Sequence, residues 1–83
     1  MSIKQKLIDR FRRLPSDFTF DELVRLFAVF GYELDNKGST SGSRVCFRKG
    51  ASCYILHRPH PGNVIKRGIL RDLMNYFTLN GLL

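Results

Sequence analysis

Apolar residues recur at helical spacing in three stretches of this chain and alternate in two shorter ones. In the first stretch Ile3, Leu7, Ile8, Phe11 and Leu14 share a helical face, and Ser2-Ile3-Lys4-Gln5 has the spacing of a capping box. A first helix over residues 3–14 is predicted, ended by Pro15, which disfavours helical geometry at the residue before it. The clearest local signal follows: Thr19 as N-cap, Glu22 as its reciprocal partner, Phe18 stapled to Leu23, and Asp21 and Glu22 where a helix start favours negative charge. This second helix is expected over residues 20–30, with Gly31 as its left-handed stop and Phe20, Leu23, Val24, Phe27 and Phe30 as its buried stripe.

Residues 32–35 form a short strand candidate, and residues 36–43 a polar loop with Gly38 and Gly42. From Arg44 to Arg48 the pattern alternates, with Val45 and Phe47 on one face and Arg44, Cys46 and Arg48 on the other. Lys49-Gly50-Ala51 turns the chain, and residues 52–57 return as the partner of an antiparallel hairpin. Two prolines and a glycine keep the stretch from His57 to Asn63 irregular. A last helix begins near Gly68, with Ile69, Leu70, Leu73, Met74 and Phe77 as its apolar face and Gly81 as its stop. The order is helix, helix, strand, strand, strand, helix. It predicts an α+β fold, in one domain, because 83 residues cannot form two units that each bury a useful core.

Charge changes the picture more than composition does. The hydrophobic share of 43% and the seven Phe are enough to support a core, whereas the net charge of +7 asks for a partner. Residues 36–71 hold eight Lys or Arg, two His and no acidic residue, so all seven Asp and Glu lie outside that stretch. A cationic surface of this kind points to nucleic acid, with an acidic protein as the alternative and a solvated basic face as the simplest one. A membrane partner is not expected, because the charge sits on loop and strands rather than on an amphipathic helix. Lys66, Arg67 and Arg71 also cluster at the start of the last helix, against its dipole, a placement that suits a bound anion. The basic face of the first helix (Lys4, Lys6, Arg10, Arg12, Arg13) is expected to be solvated.

No signal peptide is expected, since Ile3-Lys4-Gln5-Lys6 interrupts any apolar run, and no stretch approaches the length of a membrane span. A cytoplasmic location follows as an expectation, and with it reduced thiols at Cys46 and Cys53, read as small buried hydrophobes. Cys46, Cys53, His57 and His60 lie within fifteen residues, but their spacing is not that of common zinc modules. Neither a metal, nor a cofactor, nor a small-molecule substrate is expected.

Gly42-Ser43-Arg44-Val45-Cys46-Phe47, followed by His60-Pro61-Gly62-Asn63-Val64-Ile65-Lys66-Arg67-Gly68-Ile69-Leu70, resembles the HicA family of small toxins. In that family a Gly-Ser-His-x-x-Phe strand precedes a histidine-containing loop, a Lys-x-Gly step and the last helix. The resemblance covers residues 18–83, so the helix before Pro15 is an addition to the minimal pattern. The element order reads as a double-stranded-RNA-binding-like α-β-β-β-α sandwich with an additional N-terminal helix, and the resemblance implies cleavage of messenger RNA without a metal and silencing by a HicB-type antitoxin. The family's histidine falls on Arg44 here, and Pro59 stands one position before His60 where the family pattern has a proline two before.

Cleavage of RNA by its own 2′-hydroxyl needs a base, an acid and positive charge at the phosphorus. A guanidinium supplies only the third, so His60, and after it His57, are the proton-transfer candidates. Ser43, Arg44, Lys49, Arg58, Lys66 and Arg67 are the candidate phosphate contacts. If no proton transfer survives at this site, the same surface reads as a non-catalytic RNA-binding module, or as a basic protein-interaction domain.

Overall fold

The computed structural model describes residues 3–35, 44–59 and 62–83. Among the described residues three helices and one antiparallel sheet make an α+β fold: α1 (Ile3–Arg12), α2 (Phe20–Val29), β1 (Glu33–Asp35), β2 (Arg44–Lys49), β3 (Ser52–His57) and α3 (Arg67–Leu79). The sheet has strand order β1-β2-β3. Gly50, with φ of 57°, and Ala51 form a two-residue turn, and Lys49 therefore faces Ser52 and Arg44 faces His57 at the far end of the ladder. No helix is long and apolar enough to cross a membrane among the described residues.

The alternation predicted for β2 sorts the two sheet faces. Val45, Phe47 and Leu56 point inward and are buried, while Arg44, Arg48, Cys53, Ile55 and His57 on the other face are exposed. The inner face meets α2 and α3 through aromatic rings. Phe27 stacks on Phe47 with centroids 4.0 Å apart, and meets Phe77 and Tyr32 edge-on, each at 5.1 Å. The two edge-on contacts are the arrangement aromatic quadrupoles favour. Leu26 joins the buried stripe of α2, whereas Val24 and Phe30 are only half-buried.

Both central helices end alike. Tyr32 donates to the Phe27 carbonyl and Gly31 to that of Ala28; on α3, Leu82 donates to Phe77 and Gly81 to Thr78. Gly31 and Gly81 take left-handed φ values of 90° and 71° in these two Schellman caps, as their positions in the sequence predict.

The first helix differs from its sequence reading in three ways. It ends at Arg12, and Leu14, barred from right-handed helical geometry by Pro15, adopts φ of 50°. Ile3 is 85% exposed, and the docking is done by Phe11 on Phe18 and Phe77. The expected Ser2 cap lies outside the described residues. Third, Arg10 is not a solvated charge. Its Nε donates to Glu22 Oε2 at 2.6 Å and its Nη2 to Glu22 Oε1 and to the Asp17 carboxylate, each at 3.1 Å, with the guanidinium over the Phe18 ring.

Glu22 thus serves two structures at once, as capping-box partner of Thr19 and as the carboxylate that ties α1 to α2. Its hydrogen bond with Arg10 is the main cause that lowers its pKa below the ordinary 4.5, against the opposing pull of burial. A depressed carboxylate stabilises the fold fully above its unfolded pKa and loses that contribution as pH falls through the folded value. Acid unfolding of Glu22→Gln is therefore expected to show a shallower loss of stability below about pH 4.5 than wild type. At neutral pH the same variant should cost about 1–2 kcal/mol, and urea titrations at several pH values check both statements.

The cysteines also depart from expectation. Cys46 and Cys53 are joined in a disulfide across the outer face of the hairpin, with Cα atoms 6.3 Å apart. They are neither thiols nor buried hydrophobes: Cys46 is half-buried and Cys53 exposed. Alternation puts both on the outer face, and the register leaves them diagonal neighbours, within the span a disulfide bridges.

Candidate nucleic-acid interface

The end of the sheet away from the Gly50 turn holds Arg44 and His57, with Arg58 next in the chain. Arg44 opens β2 and His57 closes β3; they are cross-strand partners, both exposed on the outer face. The chain then passes to Arg58, whose guanidinium carbon lies 5.0 Å from the centroid of the Phe20 ring. An antiparallel bridge between Thr19 and Val64 brings the segment before α3 alongside the start of α2. Phe20 donates to the Asn63 carbonyl and Ile65 to that of Phe18, both at 2.7 Å, and Asn63 Nδ2 donates to Asp21 Oδ2 at 3.4 Å. These bonds fix where Arg58 and Lys66 stand relative to α2.

A cleft of about 520 Å³ opens at this junction. Phe20, Val24 and Leu34 line it with apolar surface, and the exposed side chains of Asp21, Arg25, Arg58 and Asn63 with polar surface. Lys66 caps α3 without a side-chain hydrogen bond to the helix, and no acidic residue occupies the first turn, so the clash of positive charge with the dipole seen in the sequence is present in the fold. Arg67 has a partner of its own: its Nε donates to the Leu14 carbonyl at 2.8 Å, tying the end of α1 to α3.

The remaining candidates lie elsewhere. Lys49 sits at the hairpin end, its amine 5.8 Å from the Tyr32 ring centroid, five residues and so roughly 17 Å along β2 from Arg44. Ser43 and His60 lie outside the described residues, as does the polar loop of residues 36–43. Arg48, on the same face as Arg44, is held by Asp35 at 3.3 Å. Sequence reasoning did not name Asp21, Arg25 or Asn63 as site residues, because only the Thr19–Val64 bridge sets them beside Arg58. The Arg44–His57 pairing had a signal: a two-residue turn at Gly50 and Ala51 pairs position 49 with 52, and counting outward reaches 44 and 57.

Among known families, the model described as HicA toxin of bacterial toxin-antitoxin matches residues 20–77, from the first residue of α2 into the last turn of α3. No curated protein and no solved structure matches the chain. The matched region contains the whole sheet, α2, all but the end of α3, and the Arg44–His57 pair, while α1 precedes it. This chain belongs to the HicA toxin family.

Proposed function

We propose that this protein is an RNA-binding toxin of double-stranded-RNA-binding-like fold that cleaves messenger RNA in the cytoplasm without a metal and is neutralised by a HicB-type antitoxin. The observation that carries the catalytic part is the pairing of Arg44 with His57 across the β2–β3 ladder. Where the family places its histidine this chain has a guanidinium, and the register sets an imidazole on the neighbouring strand, on the same face. Directly paired side chains stand about 4.5–5.5 Å apart at Cβ, close enough for both to reach one phosphodiester. In this reading Arg44 neutralises charge building on the phosphorus, and His57 takes the 2′-hydroxyl proton or hands one to the leaving oxygen. His60 is the candidate for the complementary proton transfer.

A second reading keeps the RNA and drops the chemistry. Arg44 itself favours it, since a guanidinium stays protonated and cannot replace a histidine base. Incubation of the purified protein with a labelled structured RNA in EDTA, beside His57→Ala and His60→Ala, separates the two. Cleavage by wild type that is lost in one variant supports the nuclease; binding without cleavage in all three establishes the non-catalytic module.

Both readings make the same statement about binding. Ser43, Arg44 and Lys66 hold the phosphate backbone, and a duplex-like RNA lying along β2 reaches Lys49 as well. Arg44→Ala and Lys66→Ala are each expected to reduce the slope of log affinity against log salt by about 0.7–1, one phosphate contact apiece. Arg67→Ala, which removes a bond to the Leu14 carbonyl, should lower thermal stability more than it changes that slope. Fluorescence anisotropy at several salt concentrations reads the slopes. A slope unchanged in both Arg44→Ala and Lys66→Ala removes this surface from the RNA interface.

A further inference from the structure

The cleft beside Arg58 has the chemistry of a base-reading pocket rather than of a phosphate site. Its inner lining of Phe20, Val24 and Leu34 is apolar, and its exposed rim carries hydrogen-bonding groups. A nucleobase has the same division, two apolar faces and a polar edge. Arg58, already seated on the Phe20 ring, offers its guanidinium as a stacking surface at the mouth. Two cations line the cleft, Arg25 and Arg58, but so does Asp21, and a carboxylate beside a phosphate is repulsive.

An anion on the rim selects for donors on the ligand. We propose that this cleft binds a guanine base of single-stranded RNA, stacked on Arg58 and read by Asp21, an inference that rests on the RNA-binding reading and adds base specificity to it. Guanine alone among the four bases presents two adjacent donors, N1–H and the N2 amino group, which a carboxylate accepts together. Adenine and cytosine each set a ring acceptor beside their amino group, and uracil flanks its single N–H with two carbonyls; each sets an acceptor against Asp21. Asn63 completes the match, because its amide, held near Asp21 at 3.4 Å, donates to guanine O6 when the base displaces that contact. The cleft is prepared without the base: the Thr19–Val64 bridge and the Phe20–Asn63 bond hold both walls in register.

The test uses the full chain and fluorescently labelled nine-nucleotide uridine oligomers, 2′-fluoro-substituted so that they cannot be cut, with guanine, hypoxanthine, adenine or uracil at the centre. Anisotropy is expected to show binding of the guanine oligomer about tenfold tighter than those with adenine or uracil, with most of that margin lost for hypoxanthine, which lacks the N2 amino group. Asp21→Asn, nearly isosteric at an exposed position, should bring all four oligomers to a common affinity, with the circular dichroism melt lowered only slightly by the charge lost at the helix start. Equal affinities for the four oligomers in the wild type overturn the guanine cleft and leave the RNA reading standing. A guanine preference that persists in Asp21→Asn overturns it too. Absence of binding to every oligomer and to structured RNA overturns both.

Discussion

His57→Ala is expected to slow RNA cleavage by about 10²–10⁴-fold, the range that a positioned proton donor or acceptor contributes, while RNA affinity stays within a few-fold of wild type. The separation follows from geometry. His57 is an exposed strand-end residue on the outer sheet face, outside the buried core of the described residues, so its removal should leave the fold intact. Arg44, its cross-strand partner, keeps its positive charge in the variant and continues to hold phosphate. Because the site is open to solvent, added imidazole should restore part of the lost rate, as free imidazole can occupy the place of the missing ring. Arg44→Ala should behave differently, losing affinity as well as rate, since a guanidinium acts on ground state and transition state alike. Single-turnover cleavage with and without imidazole is the measurement. Undiminished cleavage by His57→Ala removes His57 from the chemistry; cleavage that falls only in step with RNA affinity makes it a binding residue.

Much of this geometry was legible because it is local. The Thr19–Glu22 capping box, the glycines at 31 and 81, and the alternation of β2 each depend on neighbours within a few residues, and each stands as the sequence reads. Of the candidate residues, Arg44, His57, Arg58 and Lys66 were named from residue type, and the hairpin register makes Arg44 and His57 cross-strand partners, with Arg58 following directly. What could not be read depended on where distant segments meet. Arg10 looked like one of five solvated charges on the predicted first helix, because its partner Glu22 comes within reach only after the left-handed turn at Leu14 redirects the chain. Asp21 looked like an ordinary helix-start carboxylate until the Thr19–Val64 bridge set Asn63 and Arg58 beside it. For the cysteines, an expectation about compartment outweighed a geometric signal that was already available: alternation and a tight turn put both on one face as diagonal neighbours.

Phe27→Ala is the substitution expected to cost the most stability, about 3–5 kcal/mol, because a fully buried ring is lost and the cavity it leaves has rigid walls. Phe47 stacks on Phe27, and Tyr32 and Phe77 meet its edges, so none of them can collapse into the space without giving up contacts of its own. A domain of 83 residues has on the order of 4–12 kcal/mol in all, so the variant should stand close to its unfolding midpoint at 25 °C. Phe30→Ala, at a half-buried position one turn on, should cost distinctly less and serves as the control. Urea titration by circular dichroism gives both values, and a Phe27→Ala loss no larger than that of Phe30→Ala would show that the aromatic cluster does not organise the core. The consequence reaches the site through one strand. Phe47 presses on Phe27 from β2, the strand whose first residue is Arg44, and the Arg44–His57 pairing exists only while that strand keeps its register. RNA binding in Phe27→Ala should therefore fall in proportion to the unfolded fraction and recover at low temperature or with added RNA, which favours the folded state by mass action. Binding that stayed at the wild-type level while the circular dichroism signal was lost would separate the RNA surface from the fold that positions it.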